Sequence, residues 1–138
     1  MKRIGIVVGL TLAVGLAVAV IGDRVLNAQQ QSVKRTELLR KDLAGMEGHE
    51  GIVFIGEIAP GAFTGKHYHP GHELLYVLEG SGTWEVEGQP PLSMKAGDSF
   101  YQPPNQAHNV KNASEAAPLK NVVFLIAPKG QSLAVPVQ

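Results

Sequence analysis

Short apolar and β-branched runs, separated by turns rich in glycine and proline, follow one another from residue 51 onward. Several runs alternate apolar and polar residues with the period of two that is typical of β-strands. The last one, NVVFLIA, is apolar throughout, which indicates a strand covered on both faces. The pattern predicts an all-β sandwich or barrel, with strands at residues 51–60, 74–78, 83–87, 92–94, 99–102, 108–111 and 121–127.

The segment before these strands is less regular. Residues 29–50 are predicted to form an N-terminal arm, in which residues 35–43 are ambiguous. Three leucines in that stretch fit one face of a helical turn, whereas residues 36–38 fit an edge strand equally well. Three glycines then predict a loop over residues 45–51, in which His49 would be a solvated side chain.

The first 28 residues form an apolar leader. Two basic residues precede an uninterrupted run of apolar residues, glycine and one threonine at 4–21, and a charged pair ends it. This order predicts a secretory signal peptide, with cleavage between Ala28 and Gln29. The run also approaches the length of a membrane anchor, so an uncleaved anchor helix is the alternative. Both interpretations place the domain at 51–138 outside the cytoplasm, as a periplasmic, secreted or membrane-anchored protein.

Composition narrows the function classes. The 138 residues suit a single domain, and a hydrophobic content of 44% with 17% charged residues is typical of a globular protein. The formal net charge is zero, which argues against a nucleic-acid surface, and a membrane partner is expected only through the leader. The chain has no cysteine, which excludes disulfides, thiolate metal ligands and a cysteine nucleophile.

Three histidines and one glutamate supply the candidate chemistry. His67 and His69 are two residues apart, so in a strand both imidazoles point to the same side. A turn-forming Pro–Gly pair follows, and Glu73 at the start of the next run can face back toward them. His108 follows a second proline-rich turn and offers a fourth ligand. Three imidazoles and a carboxylate make a mixed site suited to Fe(II), Mn(II), Zn(II), Ni(II) or Cu(II).

These residues stand in two motifs that resemble those of the cupins, in particular the small single-domain bacterial members. The first motif, G-x5-H-x-H-x3,4-E-x6-G, is filled at every fixed position by Gly61, His67, His69, Glu73 and Gly80. The second, G-x5-P-x-G-x2-H-x3-N, is filled by Gly97, Pro103, His108 and Asn112. Asn105 stands where the family usually has glycine, and asparagine tolerates the positive φ of such a turn better than most residues. The resemblance covers roughly residues 50 to 128.

The resemblance implies a single double-stranded β-helix, the cupin jelly-roll barrel, with the four ligands in its mouth. It also favours a strand over a helix at residues 35–43. The implied cofactor is a divalent transition metal, with Fe or Mn preferred and Ni, Cu or Zn as alternatives. The implied function is action on a small oxygenated organic molecule, as in dioxygenases, and the alternative is a non-catalytic module that binds a metal or small ligand. Some small cupins pair, so a homodimer is a further expectation.

Other polar residues near the motifs are interpreted as structural or as surface residues. His72 flanks Glu73, but strand alternation turns it outward, to the rim or surface. Tyr76 points away from Glu73 for the same reason. Tyr101, Gln102 and Asn112 could approach the site, but each is expected to have its polar group satisfied locally. The residues alone leave open whether the protein is an enzyme.

Overall fold

The computed structural model describes residues 33–137 as ten β-strands in two five-stranded sheets, with no helix in that range. The predicted signal or anchor segment at 1–28 lies outside the described residues. In chain order the strands are β1 (Val33–Asp42), β2 (His49–Ile58), β3 (His67–Tyr68), β4 (His72–Glu79), β5 (Ser81–Val86), β6 (Leu92–Lys95), β7 (Ser99–Gln102), β8 (His108–Asn112), β9 (Leu119–Pro128) and β10 (Val135–Pro136). The all-β prediction is confirmed for this part of the chain.

The two sheets form a jelly roll. The first has the strand order β1-β2-β9-β4-β7 and the second β10-β3-β8-β5-β6, and the pairs within both are antiparallel. The chain passes repeatedly from one sheet to the other, so segments distant in sequence become neighbours. Trp84 and Met94 of the second sheet lie in one apolar cluster with Ile52 and Leu125 of the first. The core is therefore shared between the sheets.

Strand alternation explains which side chains reach the core. Every second residue of β2 and β9 is buried, and the residues between them are only partly covered or exposed. The prediction that residues 121–127 are covered on both faces is wrong, because the outward-facing Phe124 is 44% exposed. An apolar run does not distinguish burial on one face from burial on two, and antiparallel sheets commonly leave one face open.

The ambiguous segment in the predicted arm is a strand. β1 pairs with β2 from Val33↔Ile58 to Asp42↔Glu50, with an irregularity between Glu37 and Leu39. The strand predicted at residues 51–60 begins earlier, because His49 is already paired with Pro128 of β9. His49 is therefore the first residue of β2 rather than part of the preceding loop, and the loop is correspondingly short.

The outer face of the first sheet carries exposed apolar side chains. Leu74 and Tyr76 of β4 and Phe124 of β9 are among them, and Leu74 is paired with Phe124 across the strands. The homodimer expected from the sequence stays a prediction. Within residues 33–137, no helix has the length and apolar character that crossing a membrane requires.

Candidate metal centre

Three buried histidines converge where β3 meets β8. His67 of β3 is paired directly with His108 of β8, and His69 follows β3 by one residue. One ring nitrogen from each of the three lies within 4.8 Å of the others, a spacing that could hold a metal ion. Their ring centroids are 4.4–5.2 Å apart. His67 and His69 share one side of the chain, as their two-residue spacing predicts.

Glu73, the second residue of β4, lies beside the histidines. Its Oε2 is 3.3 Å from Nε2 of His69 and 3.3 Å from Nε2 of His108. This oxygen is buried, yet it makes no hydrogen bond of acceptable geometry within the described part of the chain. A buried carboxylate oxygen without a partner is costly, and coordination of a cation is one way to satisfy it. The three histidines therefore present donors that fit a divalent transition metal, and the Glu73 carboxylate lies close to two of them.

Backbone carbonyls hold the imidazoles in this orientation. Nδ1 of His67 donates to the carbonyl oxygen of Gly65 at 2.8 Å, and Nδ1 of His69 donates to that of Leu133. Nδ1 of His108 lies 3.5 Å from the carbonyl oxygen of Gln106, at the outer limit for a hydrogen bond. A carbonyl accepts only from a protonated nitrogen, so Nε2 of each neutral ring carries the lone pair. Such Nδ1–H bonds are the usual support of metal-binding histidines.

Burial and mutual charge set the protonation of the cluster. Burial lowers the pKa of His67 to about 4 and also lowers the pKa of His108. Burial acts to raise the pKa of Glu73, but the contact with His69 and the charges of the histidines lower it overall. Burial also acts to lower the pKa of His69, but Glu73 raises it overall. An ionised Glu73 beside neutral imidazoles is the state required for coordination.

Two backbone features bring the motif residues together. Gly71 lies so close to β9 that a Cβ atom there would be 2.1 Å from the carbonyl oxygen of Ile126, so only glycine fits. This close approach allows β4 to pair with β9 from its first residue, and the pairing places Glu73 beside the histidines. Asn105 has a φ of 62°, as expected for a substitute for the motif glycine, and its N–H donates to the carbonyl of His69 at 2.8 Å. The second motif is thereby tied to the first.

Trp84 supports His108 from the core, a contact that the sequence pattern did not indicate. Its indole stacks on the His108 ring at 5.0 Å and 7°, and on Phe100 at 5.0 Å and 8°. Trp84 is 2% exposed. Its inward position follows from the alternation in β5, but contact with His108 depends on the pairing of β5 with β8, which the sequence does not reveal.

A cavity opens beside the cluster. The empty space there is about 390 Å³, a figure that includes volume open to solvent. Its apolar walls include Phe54, Leu75 and Val123. Outside the cluster, the polar side chains that line it are Arg35, Thr64 and Asn121. Sequence reasoning did not identify these three, although Asn121 is a polar residue at an inward position of an apolar strand, a signal that could have revealed it.

Of the remaining candidates from the sequence, His72 and Tyr76 lie on the outer face, whereas Gln102 is an inward residue paired with Glu73. His72 is exposed on the outer face, where its Nδ1 lies 2.8 Å from the Tyr101 hydroxyl. Tyr76 is also exposed there. Gln102 is buried but donates to the carbonyl of Gln106.

Asn112 of the second motif is structural. Its Nδ2 donates to the carbonyls of Ile58, Ala59 and Ala117, and its Oδ1 accepts from the N–H of Ser114. The amide therefore joins the end of β2 to the loop after β8. Its polar groups are satisfied locally, as predicted.

Comparisons with known proteins agree with this architecture. A family model described as a cupin domain matches residues 54–125. The tetracenomycin polyketide synthase protein TcmJ of Streptomyces glaucescens is 32% identical over 78 residues, which are 54% of this chain and 50% of that protein. The chain thus spans about half the length of this curated relative.

Two solved structures share the fold. A cupin-like protein from Thermotoga maritima is 28% identical, with a TM-score of 0.62 over 76% of this chain and 75% of that one. The DMSP lyase DddQ from Ruegeria pomeroyi DSS-3 is 18% identical, with a TM-score of 0.61 over 77% of this chain and 52% of that one. The family match covers just over half of the chain and contains the three histidines and Glu73, and this protein therefore belongs to the cupin family.

Proposed function

We propose that this protein is a metal-dependent cupin that binds one divalent transition-metal ion and acts on a small oxygenated organic molecule in a dioxygenase-like reaction. The ligands are His67, His69, Glu73 and His108. The observation that carries the proposal is the buried Oε2 of Glu73, which lacks a hydrogen bond among the described residues and lies 3.3 Å from two imidazole nitrogens. Three imidazole nitrogens within 4.8 Å of one another, with this carboxylate oxygen beside two of them, support a four-ligand site.

Fe or Mn suits this ligand set best, and Ni, Cu and Zn are alternatives. Such an ion, if held by these four residues, would supply a point at which an oxygen-bearing substrate and dioxygen bind. Residues of this chain orient the ligands, balance the charge and exclude water. The three Nδ1–H bonds orient the imidazoles, and Glu73 contributes a negative charge that partly neutralises the cation. The apolar walls exclude water and position the substrate.

A second candidate is a module that binds a metal or small ligand without turning it over. It is favoured by the scarcity of further acid–base groups, because Arg35, Thr64 and Asn121 are the polar residues found in the cavity wall beyond the cluster. None of these three side chains titrates near neutral pH. A reaction that needs a separate general base would therefore lack one among the residues of 33–137 that line this cavity.

Metal analysis followed by oxygen measurement separates the candidates. We expect about one ion per chain after anaerobic reconstitution with Fe(II) or Mn(II), by the four-ligand count. Oxygen uptake is then measured with flavonols, diketones and small organic acids, with zinc-loaded protein as the redox-inactive control. Uptake with one substrate class supports the dioxygenase, and stoichiometric metal without turnover on any of them supports the binding module. Failure to retain any ion would contradict the dioxygenase and the metal-binding module, and would leave only a module that binds a small ligand without metal.

Export is part of the proposal and rests on the leader at 1–28. Expression of the full chain in a Gram-negative host, followed by fractionation and mass spectrometry, tests it. A soluble periplasmic product that begins at Gln29 is expected for a cleaved signal peptide, and a full-length product in the membrane fraction is expected for an anchor. Full-length protein in the cytoplasm would contradict export.

A further inference from the structure

A row of three residues crosses the first sheet on its cavity side. Arg35 of β1 is paired with Gly56 of β2, which is paired with Asn121 of β9. Gly56 has no side chain, and a Cβ atom there would find only Phe54 within 4 Å, at 3.9 Å. No side chain therefore fills the space over Gly56, and the side chains of Arg35 and Asn121 lie on either side of it in the cavity wall.

Both polar groups are without protein partners in the described part of the chain. Asn121 is 3% exposed, and its Oδ1 has no hydrogen bond. Arg35 forms no ion pair or side-chain hydrogen bond with any residue in the range 33–137. Arg40, on the same face of β1, is paired with Glu37 at 2.8 Å and with Glu50 at 2.6 Å. Of the two arginines on this face of β1, Arg40 is thus paired with carboxylates, whereas Arg35 lines the cavity.

Thr64 does not compete for a ligand. Its hydroxyl donates to Gly65 or Asn109 and accepts from the N–H of Val110, so its hydrogen-bonding capacity is used. Beyond the cluster, Arg35 and Asn121 are therefore the polar residues of this wall that lack a side-chain partner among residues 33–137. A guanidinium presents a planar fork of donors that matches a carboxylate, and an amide oxygen accepts a hydrogen bond from a hydroxyl.

The charge of Arg35 acts inside the cavity although the residue is exposed at its mouth. Partial desolvation lowers the pKa of Arg35, and the negative charge of Glu73 opposes that effect. An arginine remains protonated at physiological pH. The cavity thus has an anionic residue at the histidine cluster and a cation at its mouth.

We propose that this row is a subsite for a small hydroxy acid, in which Arg35 binds the carboxylate and Asn121 accepts a hydrogen bond from the hydroxyl. The inference rests on the proposed function, since the subsite orients the acid toward the proposed metal ligands. Glu73 and Val77, the β4 residue paired with Asn121, are four residues apart, which is about 13 Å along the strand. A span of this length suits a small molecule and not a polymer.

The test compares an acid with its neutral amide. Calorimetric titration of the metal-reconstituted full chain uses 3-hydroxybutyrate and 3-hydroxybutyramide as probes. The neutral amide cannot form the pair of charge-assisted hydrogen bonds that a carboxylate forms with a guanidinium. The acid is therefore expected to bind at least about tenfold more tightly. Arg35→Met should reduce this preference to nearly one, and Arg35→Lys should restore part of it. Lys34→Met is the matched control, since Lys34 is an exposed cation on the outer side of the same strand.

Asn121→Leu gives an independent readout. It removes a buried oxygen that has no partner, so the melting temperature should stay unchanged or rise, while affinity for the hydroxy acid falls about threefold to tenfold. A lower melting temperature with unchanged affinity would assign Asn121 a structural role and overturn the subsite.

Failure of the subsite can be distinguished from failure of the metal site. Arg35→Met should bind metal with the stoichiometry of the unaltered protein, because Arg35 is not a ligand. If the protein binds metal but does not prefer the acid, or if Arg35→Met keeps the preference, the carboxylate binds elsewhere and the subsite is wrong. If no metal binds, the proposed function fails, and the acid-to-amide ratio measured in metal-free protein still decides the role of Arg35.

Discussion

Replacement of His69 with alanine is expected to weaken metal binding by more than about 100-fold, so that the purified protein no longer retains an ion. His69 contributes one of the two imidazole nitrogens that lie 3.3 Å from Oε2 of Glu73. It is also held by the carbonyl of Leu133, so its ring is oriented before any ion arrives. Loss of the ring removes a donor that no neighbouring side chain can replace, and metal content by mass spectrometry measures the result.

His72→Ala is the matched control. His72 is three residues away and is also a histidine, but it is exposed on the outer face and contacts Tyr101. Its replacement should leave the metal content unchanged. Far-UV circular dichroism should show that both variants keep the β fold, since His69 lines a cavity and is not part of the apolar cluster. Full metal occupancy in His69→Ala would rule out His69 as a ligand.

Replacement of Trp84 with alanine is expected to lower the free energy of unfolding by about 3–5 kcal/mol. The indole is 2% exposed and fills the space between Phe100 and His108, so its removal leaves a large cavity at the junction of the two sheets. Metal affinity should fall as well, because the His108 ring loses the surface against which it stacks. Urea denaturation followed by circular dichroism measures the first effect.

Trp84→Phe separates the two consequences. A smaller aromatic ring keeps part of the stacking, so it should cost less stability than alanine and retain most of the metal affinity. A Trp84→Ala variant as stable as the unaltered protein would contradict the packing described for this ring.

Local spacing along the sequence predicts part of the candidate site. Strand alternation places His67 and His69 on one side, and the turn residues around Gly71 and Asn105 accommodate the tight approaches that the structure contains. These features depend on residues close in sequence. Strand alternation likewise indicates that His72 lies outside the cavity, whereas the partners of Asn112 at Ile58 and Ala59 are distant in sequence.

Contacts between segments distant in sequence could not be predicted from local spacing. The carbonyl that holds His69 belongs to Leu133, 64 residues later, and lies in a tail whose position depends on the pairing of β10 with β3. Arg35 reaches the cavity only because an ambiguous segment pairs with β2 opposite a glycine. Periodicity specifies which face a side chain occupies, but not which strand lies beside it.

The stacking of Trp84 on His108 has a practical consequence. Trp84 is the single tryptophan of the chain, so the intrinsic emission of the protein comes from one indole in contact with a candidate ligand. Redox-active ions such as Cu(II) or Fe(II) bound to His108 would lie close enough to quench that emission. The protein therefore carries its own optical reporter, with which loading of the site can be followed in solution without an added dye.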